Sequence, residues 1–374
     1  MIIKSVEPWY SSVLYDAPGK FGGWPSIAKT ADGELLVVFS GDRKLHVDPY
    51  GKTLLVRSGD AGKSWSQPGI INDSPLDDRD PGIVVCPDGT WLVSLFTSRF
   101  FADWKDAVEY CGAAEVATWQ PYVDRLTPVL CGRYLGNFTL LSQDRGTSWS
   151  SLRPAPVHGP HGPVVGPDGE LLYLGSSAAG GTEQKIACFA SHDLGENWCL
   201  RGFLSGADIL PGIHLCEPHL VVLPGGSLLG QMRVNAADIE QRQLMQSISE
   251  DGGYSWGPVT STGLWGLPPH LLWHSSGVLL SSYGHRRQPF GQRIAVSRDL
   301  GMSWREVLLL PALAYGAVTR AEDVGDIYYQ IPDLGYPATV ELDDGSLYTV
   351  WYQSNQSEPG AKVLGCRWTL PGID

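Results

Sequence analysis

Short apolar runs broken by a polar turn recur six times along the 374-residue chain. They read PSIAKTADGELLVVF from Pro25, PGIVVCPDGTWLVSLF from Pro81 and HGPVVGPDGELLYLG from His161. The later copies read PHLVVLPGGSLLGQM from Pro218, PHLLWHSSGVLLSSY from Pro269 and PATVELDDGSLYTVW from Pro337. Each joins two strand-length runs across a turn, usually Asp-Gly, whose glycine accepts the positive φ of a tight hairpin. The pattern predicts six β-hairpins and no helix of useful length.

A second repeat interleaves with the first. The frame Ser-x-Asp-x-Gly-x-x-Trp occurs at Ser58–Trp65, Ser142–Trp149, Ser191–Trp198, Ser249–Trp256 and Ser297–Trp304. Asp can bond nearby backbone N–H groups, Gly takes φ > 0, and Trp can pack back as an anchor. Five copies of one octet cannot all be one catalytic centre, so the octet is expected to be a fold element. One hairpin plus one octet-joined strand pair makes a four-stranded unit, and such units arranged around an axis make a β-propeller. The expectation is an all-β, six-bladed β-propeller of four-stranded antiparallel blades. It would be one domain over 1–374, closed by strands from IIKSVEPWYSSVLY and the C-terminal KVLGCRWTL. A long aromatic-rich insert interrupts blade 2 at about 97–134, and such loops are more often functional than inert.

Composition narrows the partners. Formal net charge is −13, which argues against nucleic acid and anionic membrane. An anionic ligand would bind only where a few arginines converge. The seven cysteines form no CxxC pair, so no zinc or redox motif and no cofactor is expected. Cys111 and Cys131 share the insert, and a bridge between them is left open. No apolar run approaches membrane-span length, and the N-terminus carries no signal-peptide core. A cytoplasmic protein or a trimmed secreted one is expected; oligomeric state is open.

Aligning the hairpins on their turns places Trp24, Asp80, Pro160, Glu217, Pro268 and Tyr336 just before the six repeats. Asp80, Glu217 and Tyr336 are chemically capable and would face one axis. Alternating octets and Pro-led hairpins resemble the Asp-box repeats of the sialidase (neuraminidase) superfamily, over nearly the whole chain. That resemblance implies an exo-acting glycoside hydrolase releasing a terminal acidic sugar, most simply a sialic-acid-type residue. It would use a Tyr nucleophile partnered by Glu, an Asp acid/base on a first-blade loop, and three arginines on the substrate carboxylate. DLGYPATVELDDG looks like the nucleophile strand, giving Tyr336. CEPHLVVLPGGSLLGQMR looks like the pair carrying Glu217 and Arg233. YGHRRQPFGQRIAVSRDLGMSW gives Arg286 or Arg287. FSGDRKLHVDPYGKTLLVRS gives Asp48 as acid/base and Arg43 as helper, with Asp42 and His46 behind them. One departure stands out: GGWPSI places Trp24 where the family keeps an arginine, and Arg79 in DDRDPG is the nearest replacement. Trp24, Asp80, His161 and His270 complete the expected substrate pocket.

The chemistry fits these types. Glycoside cleavage needs an acid at the leaving oxygen and a nucleophile or base at the anomeric carbon. A sugar with a carboxylate on that carbon would repel an anionic nucleophile, whereas a neutral Tyr deprotonated by Glu avoids the clash. Arg233 and Arg286 are expected to lower the phenol pKa. His158, His161, His219, His270 and His285 also collect near strand starts. They keep open a metal site, or a base for a lyase or hydrolase acting on a uronic-acid glycan. A non-catalytic glycan-binding propeller is the third reading.

Overall fold

In a computed structural model, the structure describes residues 2–177, 185–204, 214–236, 239–310, 333–355 and 358–372. All six predicted hairpins form. Their inner strands are Phe21–Lys29, Asp77–Val85, Val164–Val165, His214–Val222, Leu267–His274 and Leu334–Glu341. Each pairs antiparallel with the next strand across the predicted turn. The inner strand Phe21–Lys29 packs on Asp77–Val85 and on Leu334–Glu341, and Leu267–His274 packs on Leu334–Glu341 and His214–Val222.

The sheet count corrects the expectation of six separate four-stranded blades. Four blades stand as separate sheets, while the last and first hairpins belong to one eight-stranded sheet. They join through a single parallel bridge, Ala361 to Phe21. The N-terminal segment also divides. Tyr10–Tyr15 pairs antiparallel with the C-terminal strand Glu358–Trp368 as expected, but Ile2–Ser5 pairs in parallel with Glu306–Leu309 of the fifth sheet. The apolar core lies between hairpins. Leu172, Leu174, Leu228 and Trp256 pack between the third and fourth, and Ile27, Val37, Val350 and Val363 between the first and last. Burying each such side chain contributes about 1.5–3 kcal/mol.

The octets are staples. In each, the Ser hydroxyl donates to the Asp carboxylate at 2.8–2.9 Å and accepts from the Gly N–H. The same Asp accepts the backbone N–H four residues on, from Ser64, Ser148, Asn197, Ser255 or Ser303. Gly62 has φ +88, and a Cβ there would sit 2.1 Å from the Tyr348 ring of the last hairpin. Gly301 would strike Leu229 of the preceding sheet in the same way. The glycine therefore serves the turn and the contact between neighbouring blades at once.

These bonds hold Asp60, Asp144 and Asp251 down at about 2, first through Ser64, Ser148 and Ser255. Folded values below the ordinary 3.8 mean stability that is present above about pH 4 and lost as pH falls through about 2. Asp251→Asn should therefore lower the melting temperature at neutral pH and flatten the acid limb, so that variant and wild type converge as pH falls from about 4 to about 2.

The insert is not a bare loop. It folds as five short helices between Phe100 and Tyr134, from four to seven residues long. Phe101, Ala107 and Trp119 are buried in a satellite cluster against Leu45, Val47 and Tyr50. Lys44 reaches Glu115 at 3.1 Å, and the Tyr50 and Thr118 hydroxyls meet at 2.6 Å. The insert thus braces the first-hairpin loop that carries His46 and Asp48. Cys111 and Cys131 are both unpaired thiols.

Candidate active site

Four inner strands carry the same local device. Trp24, Asp80, Glu217 and Tyr336 each precede a proline, and each is left-handed, with φ of 53, 46, 51 and 52. Each lies where the ladder slips, between Gly23 and Ser26, Arg79 and Gly82, Cys216 and His219, or Gly335 and Ala338. The bulge takes the proline, which has no N–H to donate, out of the pairing. It also re-aims the preceding side chain, at a conformational cost of about 1–3 kcal/mol for each non-glycine residue.

Trp24, Glu217 and Tyr336 lie together, and Asp80 is near enough to act on Glu217 and Tyr336 through its charge. Tyr336 is buried, and its hydroxyl lies close enough to Glu217 to help hold that carboxyl down. Arg233 grips the other side of Glu217 as a fork, Nε to Oε2 at 2.5 Å and Nη2 to Oε1 at 2.7 Å. The Trp24 ring lies 6.4 Å from the Tyr336 ring, with the Arg79 guanidinium 4.2 Å from the Trp24 centroid. Arg286 donates to the Leu334 carbonyl at 2.6 Å and to the Tyr352 hydroxyl at 2.9 Å. Tyr352 donates to Asp333 at 2.5 Å, and the other Asp333 oxygen meets His46 Nδ1 at 2.8 Å.

Burial and charge set the protonation states. Burial would raise Glu217, but the Arg233 fork, the Tyr336 hydroxyl and Arg286 outweigh it and hold the carboxyl below its ordinary range. The Tyr336 phenol is pushed well above 10, first by burial and then by the negative charges of Glu217 and Asp80. The sequence led to the opposite expectation: Arg233 does pull the phenol down, but burial and two carboxylates prevail. Asp80 rises to about 7, again first through burial, with Glu217 adding and Arg79 opposing.

Several expected site residues sit elsewhere or do other work. Arg43 is wholly buried, and all five of its N–H donors are used: Nε on the Leu45 carbonyl, Nη1 on Ser40 and Asp77, Nη2 on the His46 carbonyl and Asp77. It is a structural post with no donor left for substrate. Asp48 is buried too, and its carboxylate accepts the backbone N–H groups of Lys44, Leu45 and Tyr50 at 2.6–2.9 Å. It ties the loop. Between the two neighbouring arginines, Arg286 joins the cluster, whereas Arg287 pairs with Glu240 and lies over Trp265.

His161 and His270 fall below the cluster. With His219 they form a stack of rings 4.5–5.6 Å apart, lining a cavity of about 390 Å³ on the turn side of the bulges. His219 Nδ1 accepts the Leu271 N–H and His270 Nδ1 accepts the Thr339 N–H. The ring protons of these two are thereby assigned to Nε2. Burial drives His270 to about 3 and His161 well below its ordinary value, so the stack is neutral. Of the three, His161 approaches Tyr336, 6.4 Å between rings. Among the described residues, no group of three or more His, Cys, Asp or Glu is arranged to hold a metal.

Sequence reading missed Asp77, Asp333 and Tyr352. Asp77 supports Arg43, and Asp333 and Tyr352 orient Arg286 and His46. The signal for Tyr352 was cross-strand register, since it pairs with Gly335 beside Tyr336.

A family model described as BNR repeat-like domain matches residues 110–349. The chain belongs to that family. Solved structures agree on a sialidase-like BNR propeller fold. A protein of unknown function from Dyadobacter fermentans superposes with a TM-score of 0.74 at 22% identity, covering 98% of this chain and 99% of that one. An α-L-arabinofuranosidase of Fusarium graminearum, solved with arabinobiose, gives 0.65 at 14% identity, covering 97% and 98%. The NanB sialidase from Streptococcus pneumoniae gives 0.64 at 13%, covering 98% of this chain and 71% of the sialidase. No curated protein matches the sequence.

Proposed function

We propose that this chain is an exo-acting glycoside hydrolase that releases a terminal acidic sugar, with Tyr336 as nucleophile and Glu217 as its base. The observation carrying the reading is the Tyr336–Glu217–Arg233 relay, in which a neutral phenol faces an ionised carboxylate. Family membership and the glycosidase neighbours support the reaction class. Glu217 receives the phenol proton as the phenolic oxygen bonds to the anomeric carbon, so no free phenolate is needed in the resting protein. Arg79 and Arg286 supply cationic N–H groups beside the nucleophile, which favours an acidic sugar in a chain of net charge −13.

A second reading, release of a neutral sugar, is favoured by one feature. Trp24 occupies the place of an arginine, and two Arg233 nitrogens are engaged by Glu217. A panel of aryl glycosides separates the two. Turnover of an aryl sialoside or uronide, with neutral glycosides left intact, is the expected result. Turnover of neutral glycosides alone would remove the acidic specificity. Inertness toward every glycoside, together with retention on a glycan array, would make the protein a binding module.

A further inference from the structure

We propose that Asp80 is the proton donor to the leaving oxygen; this assignment rests on the hydrolase reading. Asp80 shares its left-handed, pre-proline bulge with Glu217 and Tyr336, so the same device aims all three at one place. Its side chain is buried, and Oδ1 has no hydrogen-bond partner. The nearest cation, Arg79 Nε, stands 3.8 Å away, too far for a hydrogen bond. A buried carboxyl oxygen without a partner is costly unless the group is neutral or a ligand completes it.

The other acids of the neighbourhood are occupied. Asp77 takes the Arg43 fork, Asp78 accepts from Ser74 and Asn72, and Asp333 holds His46 and Tyr352. Glu217 holds Arg233, and Asp48 is closed by three backbone N–H groups. Asp80 alone among them combines an unpartnered buried oxygen with the bulge that carries the nucleophile. The charges facing it are Arg79 and Arg43 on one side and Glu217 and Asp77 on the other, and burial prevails, leaving it poised at about 7. A general acid works best with a pKa near the operating pH.

The proton balance closes. Asp80 gives its proton to the glycosidic oxygen as the bond from that oxygen to the anomeric carbon breaks, the electron pair leaving with the oxygen. The Tyr336 oxygen bonds to the anomeric carbon and passes its proton to Glu217. Water then attacks the anomeric carbon and gives a proton to the Asp80 carboxylate. The tyrosyl oxygen leaves with its electron pair and recovers its proton from Glu217. The net reaction is glycoside plus water to free sugar plus alcohol.

Leaving-group dependence in Asp80→Asn tests this. The substitution keeps the shape and removes the transferable proton. Alkyl glycosides, whose poor leaving group needs protonation, should lose about 10²–10⁴-fold in kcat/KM. Nitrophenyl glycosides, whose leaving group departs as the anion, should lose less than about tenfold in the cleavage step, read as burst rate. The wild-type fall in kcat/KM as pH rises through about 7 should vanish in the variant. Asp48→Asn is the control: its losses should be equal for both leaving groups and accompanied by a lower melting temperature. Equal losses for both leaving groups in Asp80→Asn, with the basic limb retained, would overturn the Asp80 assignment and leave the hydrolase reading standing. A wild type inert toward every glycoside would overturn both.

Discussion

Tyr336→Phe should reduce kcat/KM on the best aryl glycoside by about 10³-fold or more, a loss of about 4 kcal/mol of transition-state stabilisation. The hydroxyl is the only atom removed, and it is the atom that would bond to the anomeric carbon. Folding should change far less. Glu217 loses one donor but keeps both contacts to Arg233. The phenyl ring keeps its packing beside Trp24 and Tyr352. The expected stability change is within about 1–3 kcal/mol, the range for one lost partner of a buried group. Steady-state kinetics and denaturant unfolding on the same preparation separate the two effects. A variant that folds normally and keeps wild-type turnover would remove Tyr336 from the chemistry, whatever happens at Asp80.

The phenol's raised pKa sharpens this expectation. A Tyr336 lowered toward neutrality would be a standing anion, and it would repel the acidic sugar that the proposed function requires. The structure instead keeps the phenol neutral and places the negative charge on Glu217, beside Tyr336 and under the Arg233 fork. In the proposed step the charge reaches the phenolic oxygen only as the proton leaves it, so the interaction would grow along the reaction coordinate. Interactions stronger in the transition state than in the ground state are the ones that accelerate the step.

Much of this was legible in the chain because the fold is repetitive. Turn chemistry marked the hairpins, and aligning them marked the residue before each proline. That alignment alone found Trp24, Asp80, Glu217 and Tyr336, which turn out to share one backbone conformation. What was not legible depends on non-local partners. His46 and Asp333 lie 287 positions apart and meet at 2.8 Å, and Arg43 and Asp77 lie 34 apart. Asp48 and Arg43 have the right type and spacing for chemistry, but only the folded loop shows their hydrogen-bonding capacity already filled. The insert's helices were missed for a simpler reason. Runs of four to seven residues are too short to establish a 3.6-residue period. The joining of the last and first hairpins rests on one bridge, which leaves no pattern in either strand.

The saturation of Arg43 has a consequence for stability as large as that of Tyr336 for chemistry. Arg43→Met should cost about 3–5 kcal/mol, because it leaves Asp77 buried without its fork. It also strips donors from the Leu45 and His46 carbonyls, so the loop bearing His46 should loosen. The penalty should depend on pH in a definite direction. Burial lifts Asp77 to about 6 even while Arg43 and Arg79 oppose it. A carboxyl whose folded pKa exceeds its unfolded value contributes stability below the unfolded pKa, and that contribution is lost as pH rises through the folded one. Removing Arg43 raises the folded value further, so the variant should be much weaker than wild type at pH 8 and closer to it at pH 5. Denaturant unfolding at both values checks the sign. Adding Asp77→Asn removes the stranded charge, and the double variant should recover part of the loss at pH 8 but little at pH 5. A pH-independent penalty with no recovery would mean that Arg43 acts through its packing against Trp24, 4.6 Å from the ring centroid, and not through its charge.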